Sequence, residues 1–127
     1  MAKNILVADD DDSMRKLHEK ILSRKGYKVH SVRNGLEAYN FMDANKDLIN
    51  LVLTDFDMPI MWGDELTEKL RDKGCKIPII LFSGWLEEDV KKKYPNPRYT
   101  AYIKKPFDMD KYLDKVHECL NSEKPKK

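Results

Sequence analysis

The chain has 127 residues, of which 41% are hydrophobic and 36% charged, and its formal net charge is +2. This length and composition predict one globular domain with a buried core. The balanced charge argues against a direct nucleic-acid binder, and no apolar stretch reaches the roughly 20 residues of a membrane span.

Five short apolar runs predict β-strands. They cover residues 4–8, 27–32, 48–54, 76–82 and 100–104. The first, third and fourth runs are almost continuously apolar, which is typical of strands that are covered on both faces in a parallel sheet.

The segments between these runs show helical spacing. In the first, Ser13 is the predicted N-cap, Met14, Leu17 and Ile21 share one face, and Gly26 ends the helix. The other predicted helices carry apolar faces at Ala38, Tyr39 and Met42, at Leu66 and Leu70, within residues 86–93, and at Met109, Tyr112, Leu113, Val116 and Leu120.

This alternation predicts an α/β fold, a doubly wound five-stranded parallel sheet with helices on both faces. Residues 1–121 form the predicted domain, and residues 122–127 form a polar, Lys-rich tail. Ligands of such sheets bind beyond the carboxyl ends of the strands, so functional residues are expected there.

Charged and polar residues follow four of the predicted strands. They are Asp9 and Asp10, Asp55 and Asp57, Ser83 and Gly84, and Lys105 before Pro106. Several carboxylates at one edge repel each other unless a hard cation such as Mg²⁺ binds between them. Asp11 and Asp12 are expected at the start of the first helix, where the helix dipole favours acids.

The segments "ILVADDDDSMRKL", "LVLTDFDMP", "IILFSG" and "YIKKPF" resemble the receiver domains of two-component response regulators. The resemblance covers residues 4–120 and is weakest in 86–99. It implies the flavodoxin-like strand order 2-1-3-4-5. It also implies that Asp55 accepts a phosphoryl group from a sensor histidine kinase or a histidine phosphotransfer protein.

The same resemblance implies the roles of the other residues at this edge. Asp9 and Asp10 are metal-pocket acids, with Asp10 a direct ligand of Mg²⁺ (or Mn²⁺), and Asp55 and the backbone carbonyl of Asp57 complete the set. Ser83, Gly84 and Lys105 bind the phosphoryl group, Ser83 and Tyr102 form a conformational switch, and the Lys105–Pro106 bond is typically cis in the family.

No segment of the chain is left for an output domain, which predicts a stand-alone receiver. Such a receiver is a signalling switch and not an enzyme acting on other substrates. Its output is expected to be phosphorelay or contact with a downstream protein through the fourth helix, fifth strand and fifth helix.

Two other functions compete with this interpretation. "LVLTDFDMP" also resembles the nucleophile motif of haloacid-dehalogenase-type phosphatases, with Asp55 as nucleophile and Asp57 as general acid. In that family, however, the acidic pair follows this motif, and Pro59 stands where Thr or Val is expected. The second alternative is a receiver-like scaffold that works without phosphorylation.

The remaining candidate residues have ordinary structural interpretations. Tyr102 could be a packed strand aromatic, and the three histidines, His18, His30 and His117, lack metal-ligand spacing. Cys75 and Cys119 form no metal or redox motif, and the start "MAKNIL" has no signal-peptide core. These features predict a cytoplasmic protein with two idle thiols.

Overall fold

The structure, a computed structural model, describes residues 2–121, and the predicted tail of residues 122–127 lies outside them. Five strands alternate with five helices along the chain. The strands are β1 (Asn4–Ala8), β2 (Lys28–Val32), β3 (Leu51–Asp55), β4 (Ile79–Ser83) and β5 (Ala101–Lys104). The helices are α1 (Asp12–Arg24), α2 (Gly35–Ala44), α3 (Gly63–Asp72), α4 (Glu87–Lys93) and α5 (Met109–Asn121).

The strands form one parallel sheet in the order β2-β1-β3-β4-β5, so the predicted fold class and strand order are confirmed. In the register, Ala8 pairs with Thr54 and Asp55 pairs with Phe82. This register brings the carboxyl ends of β1, β3 and β4 to the same edge of the sheet.

Helices cover both faces of the sheet, because alternate strand residues point to opposite sides. On one face, Val7, Leu53 and Phe82 pack with α1 and with Tyr112 of α5. On the other face, Leu6 and Val52 belong to the cluster that also contains α2 and α3 residues. A smaller cluster joins Phe56 and Leu81 to Val90 of α4.

The predicted start and apolar face of α1 need correction. Asp11, not Ser13, is the N-cap, and its side chain accepts hydrogen bonds from the backbone N–H groups of Ser13 and Met14. Leu17 is exposed, whereas the next residue, His18, is completely buried. Adjacent helical positions differ in direction by about 100°, so α1 is rotated relative to the predicted face.

Two predicted strands begin three residues later than expected, and one residue predicted on the apolar face of the last helix does not lie there. Residues 48–50 precede β3 because the Leu48 N–H closes a turn onto the Asn45 carbonyl. Residues 76–78 precede β4. In this segment the Arg71 guanidinium donates a hydrogen bond to the Ile77 carbonyl, and Pro78 has no N–H to donate. Met109 starts α5 and is about half exposed, so it does not belong to the buried face.

The predicted helix end at Gly26 is confirmed. Gly26 has a φ of 91°, in the left-handed region that glycine adopts without steric strain, and follows Lys25, the C-cap residue of α1. None of the helices within residues 2–121 is long and apolar enough to cross a membrane.

Candidate functional site

Three carboxylates meet at the carboxyl edge of the sheet. Asp9 and Asp10 follow β1, and Asp55 is the last residue of β3. One carboxylate oxygen from each lies within 4.8 Å of the others. Asp9 and Asp55 are buried, whereas Asp10 is exposed, so the cluster opens to solvent on the side of Asp10. The sheet therefore brings together the acids that the sequence predicted to be neighbours.

The Asp55 side chain is held by two donors. Its Oδ1 accepts a hydrogen bond of 2.8 Å from the Phe56 N–H, and its Oδ2 accepts one of 3.3 Å from Lys105 Nζ. Burial raises the pKa of Asp55 to about 7, although Lys105 acts in the opposite direction. A nucleophilic carboxylate must be ionised, so further positive charge at this site would favour the reactive form.

Asp9 leaves one oxygen free of hydrogen bonds. Its Oδ1 accepts from the Asp11 N–H at 3.0 Å, but its buried Oδ2 has no partner among the described residues. Burial raises the pKa of the Asp9 carboxyl. A buried unpaired oxygen beside two further carboxylates is the donor set of a hard divalent cation, so these residues fit Mg²⁺.

Lys105 reaches Asp55 from the end of β5. Its Nζ lies 5.1 Å from the centre of the Phe82 ring, and its backbone N–H donates to the Ser83 carbonyl at 2.6 Å. The Lys105–Pro106 peptide bond is cis, as the resemblance implied. Lys104, the last residue of β5, is exposed.

Ser83 and Tyr102 are connected through Trp85. Ser83 is buried at the end of β4, and its Oγ accepts a 3.0 Å hydrogen bond from the Trp85 N–H. The hydroxyl of the half-buried Tyr102 donates to the Trp85 carbonyl at 2.6 Å. Gly84, which lies between Ser83 and Trp85 in the chain, is exposed. The two residues of the predicted switch therefore hold the same backbone segment.

The remaining predicted acids lie in the loop after β3 and at the start of α1. Asp57 is exposed in the loop after β3. Asp11 caps α1 and Asp12 lies in its first turn, which confirms their expected position at the helix start. Their charge therefore acts on the helix N-terminus.

Three aromatic rings pack together between α4 and the loops after β3 and β4. Phe56, Trp62 and Trp85 meet edge to face, with ring centres 5.2–6.2 Å apart. Lys93 of α4 places its Nζ 4.8 Å from the centre of the Trp62 ring. This arrangement connects α4 with the loops after β3 and β4.

Sequence reasoning missed two residues at the site. Gly63 is the first residue of α3 and lies against the backbone of Asp55. A Cβ atom on Gly63 would lie 2.3 Å from the Asp55 carbonyl oxygen. The sequence signal that could have identified Gly63 is a glycine directly before a helical pattern. The second residue, His18, lies with its Nε2 3.8 Å from Asp9 Oδ2, and no sequence spacing relates the two. Burial lowers the pKa of His18 to about 4.

Residues 5–117 match the family model described as "Response regulator receiver domain". The chain is 35% identical over its whole length to "Probable transcriptional regulator ycf29" of Porphyra purpurea, of which it spans 63%. It is 30% identical over 96% of its length to "Chemotaxis protein CheY" of Halobacterium salinarum, whose full length it covers.

A solved structure agrees with these matches. The crystal structure of a CheY-like response regulator receiver domain protein from Methanospirillum hungatei superposes with a TM-score of 0.83. The two sequences are 29% identical over 96% of each chain.

Proposed function

The chain belongs to the response regulator receiver domain family, and we propose that it is a signalling switch in which Asp55 accepts a phosphoryl group. One observation carries the proposal. Asp55 is a buried carboxylate that shares a pocket with Asp9 and Asp10 and lies 3.3 Å from Lys105 Nζ. Phosphoryl transfer depends mainly on positioning and charge neutralisation, and these residues supply both.

The proposed reaction is a transfer from a phosphohistidine of a sensor histidine kinase or a histidine phosphotransfer protein. An oxygen of the ionised Asp55 carboxylate forms a bond to phosphorus while the bond from phosphorus to the histidine nitrogen breaks. The electron pair of the broken bond stays on the imidazole, which takes up a proton from solvent. The product is an acyl phosphate on Asp55.

The other pocket residues neutralise and orient the phosphoryl oxygens. Asp9, Asp10 and Asp55, with the backbone carbonyl of Asp57, would hold Mg²⁺ or alternatively Mn²⁺. The bound ion supplies two positive charges next to the transferred group. Lys105 Nζ adds a third charge, and Ser83 Oγ and the Gly84 N–H are available as donors at the end of β4.

The phosphatase alternative is not favoured. As the general acid of such an enzyme, Asp57 would have to reach the leaving group from its exposed position in the loop after β3. The family match covers residues 5–117 and belongs to receiver domains, which are signalling switches. The scaffold alternative requires a pocket that does not take phosphate, and the labelling experiment below decides it.

Signal output is proposed to pass through the surface of α4, β5 and α5. Tyr102 lies in β5 and holds Trp85, while Lys93 of α4 contacts Trp62. Movement of Ser83 towards a phosphoryl group would release the Trp85 N–H and so disturb both contacts. The resulting change of surface would be read by a downstream protein or by a partner in a phosphorelay.

Labelling with acetyl phosphate tests this function. The wild-type protein with Mg²⁺ should gain one phosphoryl group by intact mass spectrometry, and Asp55→Asn should gain none while keeping its circular dichroism spectrum. Asp57→Asn is the matched control and should still be labelled. Label retained on Asp55→Asn would refute the assignment, and an unlabelled wild type would support the scaffold.

A further inference from the structure

A pair of unsatisfied polar atoms lies behind the metal pocket. Among residues 2–121, the buried side-chain nitrogen and oxygen atoms without a hydrogen-bond partner are Asp9 Oδ2 and His18 Nε2. The two atoms face each other at 3.8 Å, and both side chains are completely buried. Buried polar groups are almost always paired, so two unpaired atoms in mutual contact require an explanation.

The His18 ring is fixed from the side of α5. Its Nδ1 lies 2.6 Å from the hydroxyl of Tyr112, which is also completely buried. The rings of Phe82 and Tyr112 pack around the imidazole at centre distances of 4.8 and 5.5 Å. The imidazole therefore has little freedom to turn its Nε2 away from Asp9.

The contact with Tyr112 favours one position of the ring proton. The Tyr112 hydroxyl and His18 Nδ1 are hydrogen-bond partners, and when the hydroxyl donates, Nδ1 is the acceptor. A neutral imidazole has one donor and one acceptor nitrogen, so this arrangement places the proton on Nε2 and gives the unpaired Asp9 oxygen a donor. The N–H donor then points at the unpaired oxygen of Asp9.

We infer that His18 is a positioning residue of the metal pocket: Tyr112 orients it, and its Nε2–H holds the Asp9 carboxylate. A shift of about 1 Å closes the 3.8 Å gap to a normal hydrogen bond. The bond fixes the orientation of Asp9 and draws part of its charge away from Asp10 and Asp55. It also joins the pocket to α5 through three side chains.

This inference rests on the proposed function, because it requires that the acids bind Mg²⁺. Outer contacts that orient metal ligands change metal affinity by roughly 10- to 100-fold when removed. The affinity for MgCl₂ alone, followed by tryptophan emission, is therefore the main readout. A wild type without Mg²⁺ binding would refute the proposed pocket, and normal binding that is indifferent to His18 would refute only this inference.

Four variants separate positioning from packing. His18→Leu fills the site without a donor and should weaken Mg²⁺ binding about tenfold. His18→Gln places an amide N–H close to the lost Nε2–H and should bind nearly as tightly as wild type. Tyr112→Phe removes the orienting hydroxyl and should give an intermediate loss. Cys119→Ala, a change in the same core cluster, should leave the affinity unchanged.

Nitrogen NMR of the wild-type protein tests the inference without any substitution. The His18 ring should carry its proton on Nε2, and the Nε2 resonance should shift on addition of MgCl₂. A proton on Nδ1 would overturn the inference. Equal Mg²⁺ affinity in His18→Leu and wild type, or equal weakening in His18→Gln and His18→Leu, would also overturn it.

Discussion

At the scale of single residues, the pocket brings together carboxyl groups that burial makes difficult to ionise. Asp9 and Asp55 are buried next to each other with the like charge of Asp10 beside them, and burial raises the pKa of both buried carboxyls. Such groups resist ionisation until positive charge arrives. The same repulsion would destabilise the metal-free protein and would favour the proposed binding of a divalent cation.

The raised pKa of Asp55 predicts the pH dependence of metal-free stability. Its pKa is about 7 in the folded chain against 3.8 as the ordinary value, so the folded state binds the proton more tightly. The resulting stabilisation is complete below pH 4 and is lost as the pH rises through 7. The stability of wild type relative to Asp55→Asn should therefore fall by about 2–3 kcal/mol between pH 5 and 8.

Urea unfolding in EDTA at several pH values measures this difference. The subtraction removes His18, whose lowered pKa of about 4 makes the folded protein more stable as the pH rises from 4 to 6.5. Asp47→Asn, an exposed carboxyl just before β3, serves as control and should follow wild type. Parallel pH profiles of wild type and Asp55→Asn would contradict the prediction.

At the scale of elements, the start of α3 packs against the end of β3, the strand that carries Asp55. The Gly63 N–H donates to the Phe56 carbonyl at 2.6 Å, and the missing side chain lets the helix approach the backbone of Asp55. Trp62, the preceding residue, then lies against Phe56 and under Lys93 of α4. The close approach at Gly63 thereby helps to position Trp62 in the aromatic cluster with Phe56.

Substitution of Gly63 should consequently damage the fold. In Gly63→Ala the new Cβ would lie 2.3 Å from the Asp55 carbonyl oxygen and 3.1 Å from Phe56 Cα, which are backbone atoms that cannot rotate away. Overpacking of this kind costs roughly 1–3 kcal/mol, and the melting temperature should drop accordingly. Gly84→Ala is the matched control, since a Cβ there has no atom within 4 Å. Equal melting temperatures would contradict this account.

At the scale of the whole molecule, the parallel sheet connects the pocket with the surface of α4, β5 and α5. Strands β3, β4 and β5 are neighbours, so Asp55, Ser83 and Lys105 end up side by side although they are distant in sequence. The backbone N–H of Trp85 donates a hydrogen bond to Ser83 Oγ, and the Trp85 carbonyl accepts one from the Tyr102 hydroxyl. The proposed switch therefore predicts that a change at the pocket shifts the population between two arrangements of this surface.

Tryptophan emission should report this shift. Beryllofluoride with Mg²⁺, a phosphoryl mimic, should change the emission of wild type, because the Trp85 N–H donates to Ser83 Oγ and the Trp85 ring contacts that of Trp62. A complete reversal from 1:99 to 99:1 needs about 5.5 kcal/mol, which a few charge-assisted hydrogen bonds of roughly 1.5–3 kcal/mol each can supply.

Two variants decide whether Ser83 transmits the change. Asp55→Asn should abolish the emission response, and Ser83→Ala should retain phosphorylation with a weakened response. If Ser83→Ala responds like wild type, the coupling does not run through Ser83, and Tyr102 is a packed strand residue.

Much of this protein was readable from the sequence alone. The alternation of apolar runs and helical faces determined the α/β class, because burial on two faces demands that pattern. The polar residues after four strands located the site, since parallel strands end at one edge. The resemblance supplied the strand order and the family, and both are confirmed. The single-domain prediction and the residue roles stay predictions.

Tertiary structure alone decided the finer arrangement. Helical periodicity predicts that Leu17 is a core residue and that His18 is not. In the structure, His18 packs against Tyr112 and Phe82 and is buried, whereas Leu17 is exposed. Asp11, not Ser13, is the N-cap, because its backbone is extended and its side chain accepts hydrogen bonds from the N–H groups of Ser13 and Met14. Side-chain identity limits what a residue can contact, but the neighbours that other elements bring determine which contact forms.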